Sequence, residues 1–169
     1  MYSLNVPVPG EVARLAAALA RDLPGARERE RGSHSLVLKR LGGEDRPDFH
    51  RLAARARETL AGAPAVQARV SGVGVFADPP VGAAPVVYLA VESPGLEGLH
   101  ARLCEVFDPV PGLEGEGYVP HVTVARGGSP EVAAAVAERA VDPVTWTVDE
   151  LVFYDAGRGE TAGRVSLPA

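Results

Sequence analysis

The sequence is poor in cysteine, in aromatic residues and in long apolar runs, and each shortage excludes something. A single cysteine, Cys104, among 169 residues leaves no partner for an internal disulfide and no thiolate cage for zinc. It lies in the helical stretch 99–104 at a core-facing position and reads as a buried, inert thiol. Aromatic residues are only 5% of the chain, so Val, Leu and Ala must fill the core. No apolar run reaches the roughly 18 residues of a membrane-spanning helix. Residues 1–5 have neither the basic region nor the apolar stretch of a signal peptide. The expectation is a soluble cytoplasmic protein with no membrane association, and no protein partner can be read. Gly72-x-Gly74-x-x-Ala77 fits the dinucleotide-binding pattern, but Asp78-Pro79-Pro80 follows where a helix would have to start. A phosphate loop, a Gly-x-Ser-x-Gly elbow and a His-Glu-x-x-His motif are all missing. Neither a metal nor another cofactor is expected.

Charge is unevenly placed. The net charge of −5 argues against a general nucleic-acid coat, which would be basic. Residues 21–58 nevertheless carry ten basic and seven acidic side chains, net +3, against net −8 for the remainder. A positive region on an acidic chain suits capture of a small anionic group; a solvated helical face would look the same.

The apolar pattern alternates strands and helices. Residues 2–8 read as a strand, and Pro9 opens a helix with Val12, Leu15, Leu19 and Leu23 at helical spacing. A strand at 33–41 closes on Gly42-Gly43, a helix spans 47–60, and an alternating strand spans 66–76. The order then repeats with a strand at 86–91, a helix at 94–106 and a strand at 118–126 that closes on Gly127-Gly128. A helix follows from a Ser129 cap to residue 141, then a strand at 144–154 and one more at 163–167. Each half reads strand, helix, strand, helix, strand. The expected fold is α+β, a single bilobal domain over 1–169. It is a duplicated architecture in which two antiparallel sheets face a central cleft, with helices on the outside. The lobe-forming repeats would be roughly 1–80 and 81–169, meeting near 78–85.

Of the four histidines, His50 and His100 sit on helical stretches among charged neighbours and read as surface residues. His34 and His121 each lie near the start of a strand that ends in Gly-Gly, 87 residues apart, which matches the repeat. Packing about a pseudo-two-fold axis would bring them to one cleft. Two imidazoles flanking a phosphorus centre can divide the proton work, one taking a proton from water and the other giving one to the departing oxygen. Satisfied histidines at strand ends are the plainer alternative. Thr123, two residues after His121 on the strand, would share its face and offer a hydroxyl to a phosphate oxygen. Arg126 would continue the same face and add a charge-assisted contact, and Tyr118 would share that face.

The run Tyr118-Val119-Pro120-His121-Val122-Thr123-Val124-Ala125-Arg126 resembles the second signature of the two-histidine phosphoesterase superfamily. That superfamily includes the RNA 2′,3′-cyclic phosphodiesterases, also called 2′-5′ RNA ligases. Its mark is His-x-Thr/Ser-x in each lobe. Leu41-Gly42, the glycine-containing strand Gly72–Phe76 and the strand 86–91 resemble further family features in the same order.

The first motif departs from the pattern. It reads His34-Ser35-Leu36-Val37-Leu38-Lys39-Arg40-Leu41-Gly42, with Leu36 where Thr or Ser belongs. Counted back from Leu41-Gly42, Ser35 takes the histidine position and Val37 the threonine position. Either a β-bulge restores His34 and Ser35 to one face, or the first lobe lacks its phosphate-binding hydroxyl.

The resemblance implies a metal-independent phosphodiesterase that opens 2′,3′-cyclic phosphates at RNA ends or on small nucleotides to 2′-phosphates, with weak reverse ligation. His34 and His121 would be catalytic. Thr123, Ser35, Arg126, Tyr118 and either Lys39 or Arg40 would hold the phosphate. Two rivals stay open: a non-catalytic nucleotide- or phosphate-binding module with a degenerate first motif, and a scaffold in which the histidines never meet.

Overall fold

The computed structural model describes residues 1–29 and 33–169. In chain order the elements are β1 (Tyr2–Pro7), α1 (Gly10–Ala20), β2 (Ala26–Glu28), β3 (Ser35–Gly42), α2 (Arg46–Leu60) and β4 (Val66–Phe76). They continue with β5 (Val86–Glu92), α3 (Pro94–Cys104), a 3₁₀ turn (Gly115–Gly117), β6 (His121–Gly127) and α4 (Pro130–Ala137). Strands β7 (Thr145–Val148), β8 (Glu150–Asp155) and β9 (Glu160–Ser166) complete the order. Helix starts follow capping chemistry. The side chains of Asp45, Ser93 and Ser129 accept from the third backbone N–H of α2, α3 and α4, and each of these helices carries Pro in its first turn.

Two antiparallel sheets form, in the order β3-β1-β8-β9 and β2-β6-β5-β4-β7. The α+β class and the pair of sheets are as expected. The duplication is visible in the order itself: β3-β1-β8 corresponds to β6-β5-β4. The halves are nevertheless not the lobes. Each sheet takes its third strand from the other half, β8 joining β1 and β4 joining β5. Helices cross over too: α1 packs on β6, and α3 packs on both β3 and β4. A repeat in sequence does not record which copy of a strand completes which sheet.

Local departures have local causes. The expected strand at 144–154 is two strands in different sheets, because the chain switches from β4 to β1 at Asp149, whose carbonyl accepts Leu167 N–H at 2.7 Å. Helix α4 stops at Ala137 rather than 141. The short β2, unforeseen, pairs with the end of β6. Both Gly-Gly turns hold φ between +73° and +82°, a region open to glycine at little cost. A core of Leu, Val and Ala, including Leu4, Leu36, Leu38, Leu89, Val122, Val124 and Leu151, lies under the helices.

Candidate functional site

Strand β6 starts at His121, and its ladder with β5 begins at the pair His121–Ala90. Strand β3 starts at Ser35, and its ladder with β1 begins at Ser35–Pro7. Both ladders then skip one residue at the same place: Val124 is unpaired between Thr123 and Ala125, and Leu38 between Val37 and Lys39. The register therefore equates Ser35 with His121, Val37 with Thr123, and Arg40 with Arg126. The bulge of the first motif follows Val37, so it does not bring His34 onto the face of Ser35. Leu36 is fully buried in the core.

These faces enclose a pocket of about 240 Å³. Ser35, Val37 and Arg40 line it from β3, and His121, Thr123 and Arg126 from β6. Asn5, Tyr154 and Arg29 add to it, and no carboxylate lines it among the described residues. Three guanidiniums converge there, and the one carboxylate near them among the described residues, Glu114 at 3.5 Å from Arg40, lies outside the lining and is already paired to Lys39, so the pocket suits an anion. Burial, together with Arg29 and Arg40, pushes the Arg126 guanidinium below its ordinary value. His34 lines an adjoining recess of about 430 Å³ that shares Asn5, Ser33, Ser35 and Tyr154 with the first. Two buried polar atoms here, His34 Nδ1 and Asn5 Oδ1, lack a hydrogen-bond partner. The Asn5 amide donates to Ser35 Oγ at 3.4 Å.

His121 is held in one tautomer. Its Nδ1–H donates to the Val119 carbonyl at 2.7 Å, which leaves the Nε2 lone pair as a proton acceptor. Phe76 and Tyr88 meet the ring edge-on, with centroids at 5.1 and 5.4 Å, and stack on each other at 4.1 Å. Gly74 makes this possible, since a Cβ there would collide with the Tyr88 ring. Burial pushes the His121 imidazole below its ordinary value of 6.5; the bond to Val119 opposes this, and Arg40, Arg126 and Arg29 reinforce it. His121 is thus neutral near pH 7, as a general base must be. His34 is lowered too, by burial and then by Arg29, with Glu28 opposing.

Four expectations need correction. Lys39 does not face the pocket: it is fully buried, ion-paired to Glu114 at 2.6 Å, and donates to the Arg40 and Asp108 carbonyls. Tyr118 precedes β6 rather than lying on it, and its hydroxyl donates to the Val37 carbonyl at 3.0 Å. His100 is buried rather than exposed; its Nδ1–H donates to the Leu38 carbonyl, its Nε2 accepts from Gly115 N–H, and its ring stacks on Tyr118 at 3.8 Å. Cys104 is only half-buried, 3.3 Å from His100 Nε2. His50 is exposed, as expected. Sequence reasoning passed over Arg29, Asn5 and Tyr154. Arg40 was named only as a substitute for Lys39, although its five-residue offset from Ser35, equal to that of Arg126 from His121, marks it as the repeat mate. Among the described residues no group of three or more His, Cys, Asp or Glu could hold a metal ion, and no helix is long and apolar enough to cross a membrane.

The fold agrees with comparisons to known proteins. The model of the 2′-5′ RNA ligase superfamily matches residues 38–160, and the chain belongs to that superfamily of two-histidine phosphoesterases. The match takes in the whole second motif and begins just after Ser35 and Val37. Among solved structures, TT0787 of Thermus thermophilus is 22% identical, covering 98% of this chain and 97% of that one, with a TM-score of 0.68. Escherichia coli LigT complexed with 3′-AMP is 19% identical over 99% of this chain and 98% of that one, with a TM-score of 0.71. LigT complexed with phosphate is 20% identical over 98% and 96%, with a TM-score of 0.65. These likenesses are in fold. No curated protein sequence matches significantly.

Proposed function

We propose that this chain is a metal-independent phosphodiesterase that opens 2′,3′-cyclic phosphates, at RNA ends or on small nucleotides, to 2′-phosphates in the cytoplasm. The observation that carries the reading is the pocket, lined by no carboxylate among the described residues, in which Arg29, Arg40, Arg126, Ser35 and Thr123 surround the free Nε2 face of His121. The cyclic phosphate lies against the guanidiniums, with its oxygens accepting from the Thr123 and Ser35 hydroxyls. His121 Nε2 takes a proton from water as its oxygen bonds to phosphorus. The P–O3′ bond breaks, and the departing 3′ oxygen takes a proton from the second imidazole, His34, reaching over from the adjoining recess. The anionic substrate raises both imidazole pKa values when it binds, which lets His34 carry its proton. With a 5′-hydroxyl in place of water as the nucleophile, the same forward steps join RNA ends weakly through a 2′-5′ bond.

The register favours a second reading. Ser35, not His34, is the structural mate of His121, and Val37 replaces the hydroxyl. A module that binds nucleotide phosphate without turnover would need only the arginines, Thr123 and Ser35. Incubation with an oligonucleotide ending in a 2′,3′-cyclic phosphate, with chromatographic identification of the product, separates the two. The enzyme yields a 2′-phosphate, and His121→Ala and His34→Ala each lower kcat by about 10²–10⁴-fold. Binding without product selects the module. Loss with His121→Ala alone would show that the first lobe contributes no proton.

A further inference from the structure

Strands β3 and β6 are mates in the repeat, but their outer edges are covered differently. The far edge of β6 pairs with β2, so Arg126 sits in a backbone ladder opposite Arg27. Strand β3 ends its sheet, and among the described residues no strand lies beyond it. An open edge leaves a row of backbone N–H and C=O groups to be satisfied by other means. Here side chains stand in for the missing strand. The Tyr118 hydroxyl donates to the Val37 carbonyl at 3.0 Å, and His100 Nδ1–H donates to the Leu38 carbonyl at 2.7 Å. The Arg40 N–H donates to Glu114 at 2.7 Å, and Lys39 Nζ donates to the Arg40 carbonyl at 2.8 Å. His100 lies on α3, and Glu114 and Tyr118 lie in the connection from α3 to β6. Together they clasp residues 37–40, where the bulge at Leu38 sets the direction of Arg40.

Glu114 does more than close the edge. Its Oε1 accepts from both the backbone N–H and the guanidinium of Arg40, the latter at 3.5 Å. Its Oε2 accepts from Lys39 Nζ at 2.6 Å and from Val110 N–H at 3.0 Å. Lys39 is the nearer cation, and both side chains of that pair are fully buried. The carboxylate is thus balanced chiefly by Lys39, which leaves much of the Arg40 charge for a ligand. Arg126 is anchored in another way, through a bond from its guanidinium to the Val81 carbonyl at 3.0 Å.

We propose that Glu114 is the positioning residue for Arg40. It fixes that guanidinium at the phosphate site from outside the pocket lining, while Lys39 keeps the carboxylate from cancelling it. The proposal rests on the phosphate site proposed above. A guanidinium held in place loses less side-chain freedom when it takes up an oxyanion than a loose one does.

NMR relaxation of the arginine Nε–H groups tests the positioning with no ligand present. Lys39→Met combined with Glu114→Gln removes the carboxylate without stranding the buried ammonium. In this double variant the order parameter of the Arg40 Nε–H is expected to fall and that of Arg126 to stay. Should the double variant misfold, Glu114→Asp keeps the charge, draws the carboxylate back by one methylene, and is expected to loosen Arg40 alone. No loss of order at Arg40, or an equal loss at Arg126, would overturn the proposal. Calorimetric titration with inorganic phosphate reads the consequence. The double variant is expected to bind phosphate about three- to tenfold more weakly than the wild type, and this difference is expected to shrink to within about twofold when both carry Arg40→Ala. Tighter binding would show that Glu114 only damps the charge of the pocket. Equal weakening without Arg40 would show that it acts on the fold at large; either result overturns the proposal. A wild type that takes up no phosphate removes the proposed reaction, and the positioning of Arg40 then stands or falls on the relaxation result.

Discussion

Replacing Glu114 by Gln removes the negative charge from an ion pair whose two side chains are fully buried. The carboxylate accepts from Lys39 Nζ at 2.6 Å and Arg40 N–H at 2.7 Å, from Val110 N–H at 3.0 Å, and from the Arg40 guanidinium at 3.5 Å. Burial pushes this carboxyl up, but the bonds from Lys39, Val110 and Arg40 outweigh it and hold the group below its ordinary 4.5. After the substitution, the Lys39 ammonium is buried against the Arg40 and Asp108 carbonyls with no counter-charge. An uncompensated buried charge costs about 3–5 kcal/mol, which for a chain of this size lowers Tm by about 6–20 °C. Adding Lys39→Met removes the stranded cation and keeps the volume of its stem, so the double variant is expected to lose only about 2 kcal/mol or less. Thermal and urea unfolding of the wild type, both single variants and the double variant close a thermodynamic cycle. A loss under about 1 kcal/mol for Glu114→Gln, or simple additivity, would refute the buried pair. Because the folded carboxyl titrates below 4.5, its contribution is present at and above that pH and fades as the solution is acidified further.

His34, His100 and His121 all titrate below 6.5 in the folded chain, burial being the first cause for each. The unfolded chain therefore binds protons more readily, so the urea midpoint is level above about pH 6.5 and falls below it; a midpoint that rises on acidification would contradict this. His100→Gln should flatten part of that slope, since protonation of Nε2 forfeits its bond from Gly115. With His121 as base, the acid limb of kcat/KM should have its midpoint below 6.5 in the free protein, and a midpoint above 6.5 would disqualify it. Thr123→Val should lower kcat about 10- to 100-fold with little change in Tm, and unimpaired turnover would remove its hydroxyl from the phosphate site. Gly74→Ala should cost about 1–3 kcal/mol by overpacking against Tyr88, read as a lower urea midpoint, and a neutral outcome would show that the ring cage around His121 can shift freely.

Much of the element order was legible because Leu and Val recur at helical or alternating spacing and Pro and Gly punctuate them. The repeat was legible too, in the Gly-Gly turns, although Ser35 and not His34 is the register mate of His121. What escaped was non-local. Period-two alternation shows that residues 144–154 are extended, but not that they serve two sheets. Helical neighbours with charge made His100 look exposed, whereas the backbone of Leu38 and Gly115, distant in sequence, supplies its partners. Lys39 looked like a phosphate ligand because its counter-ion stands 75 residues away. His121 and Thr123 could be read because one strand carries both; Arg29 and Asn5 come from other strands or loops and leave no local pattern.

Arg126 lines the pocket for a reason that alternation alone does not give. Strict alternation from His121 and Thr123 would place Ala125 in the pocket and Arg126 in the core. The bulge at Val124 reverses the parity, so Ala125 is buried and Arg126 lines the pocket. The bulge at Leu38 does the same in the other sheet: Lys39 turns inward to Glu114 and Arg40 turns to the pocket. One extra residue in each strand thus places two guanidiniums face to face and leaves two small or buried positions behind them. Two like charges converging in a half-buried site repel each other, which Glu114, 3.5 Å from the Arg40 guanidinium, offsets in part. The paired bulges are therefore the structural reason that both guanidiniums reach this cleft. They also survive the loss of the first His-x-Thr motif, because they depend on strand register and not on the side chains at Ser35 and Val37.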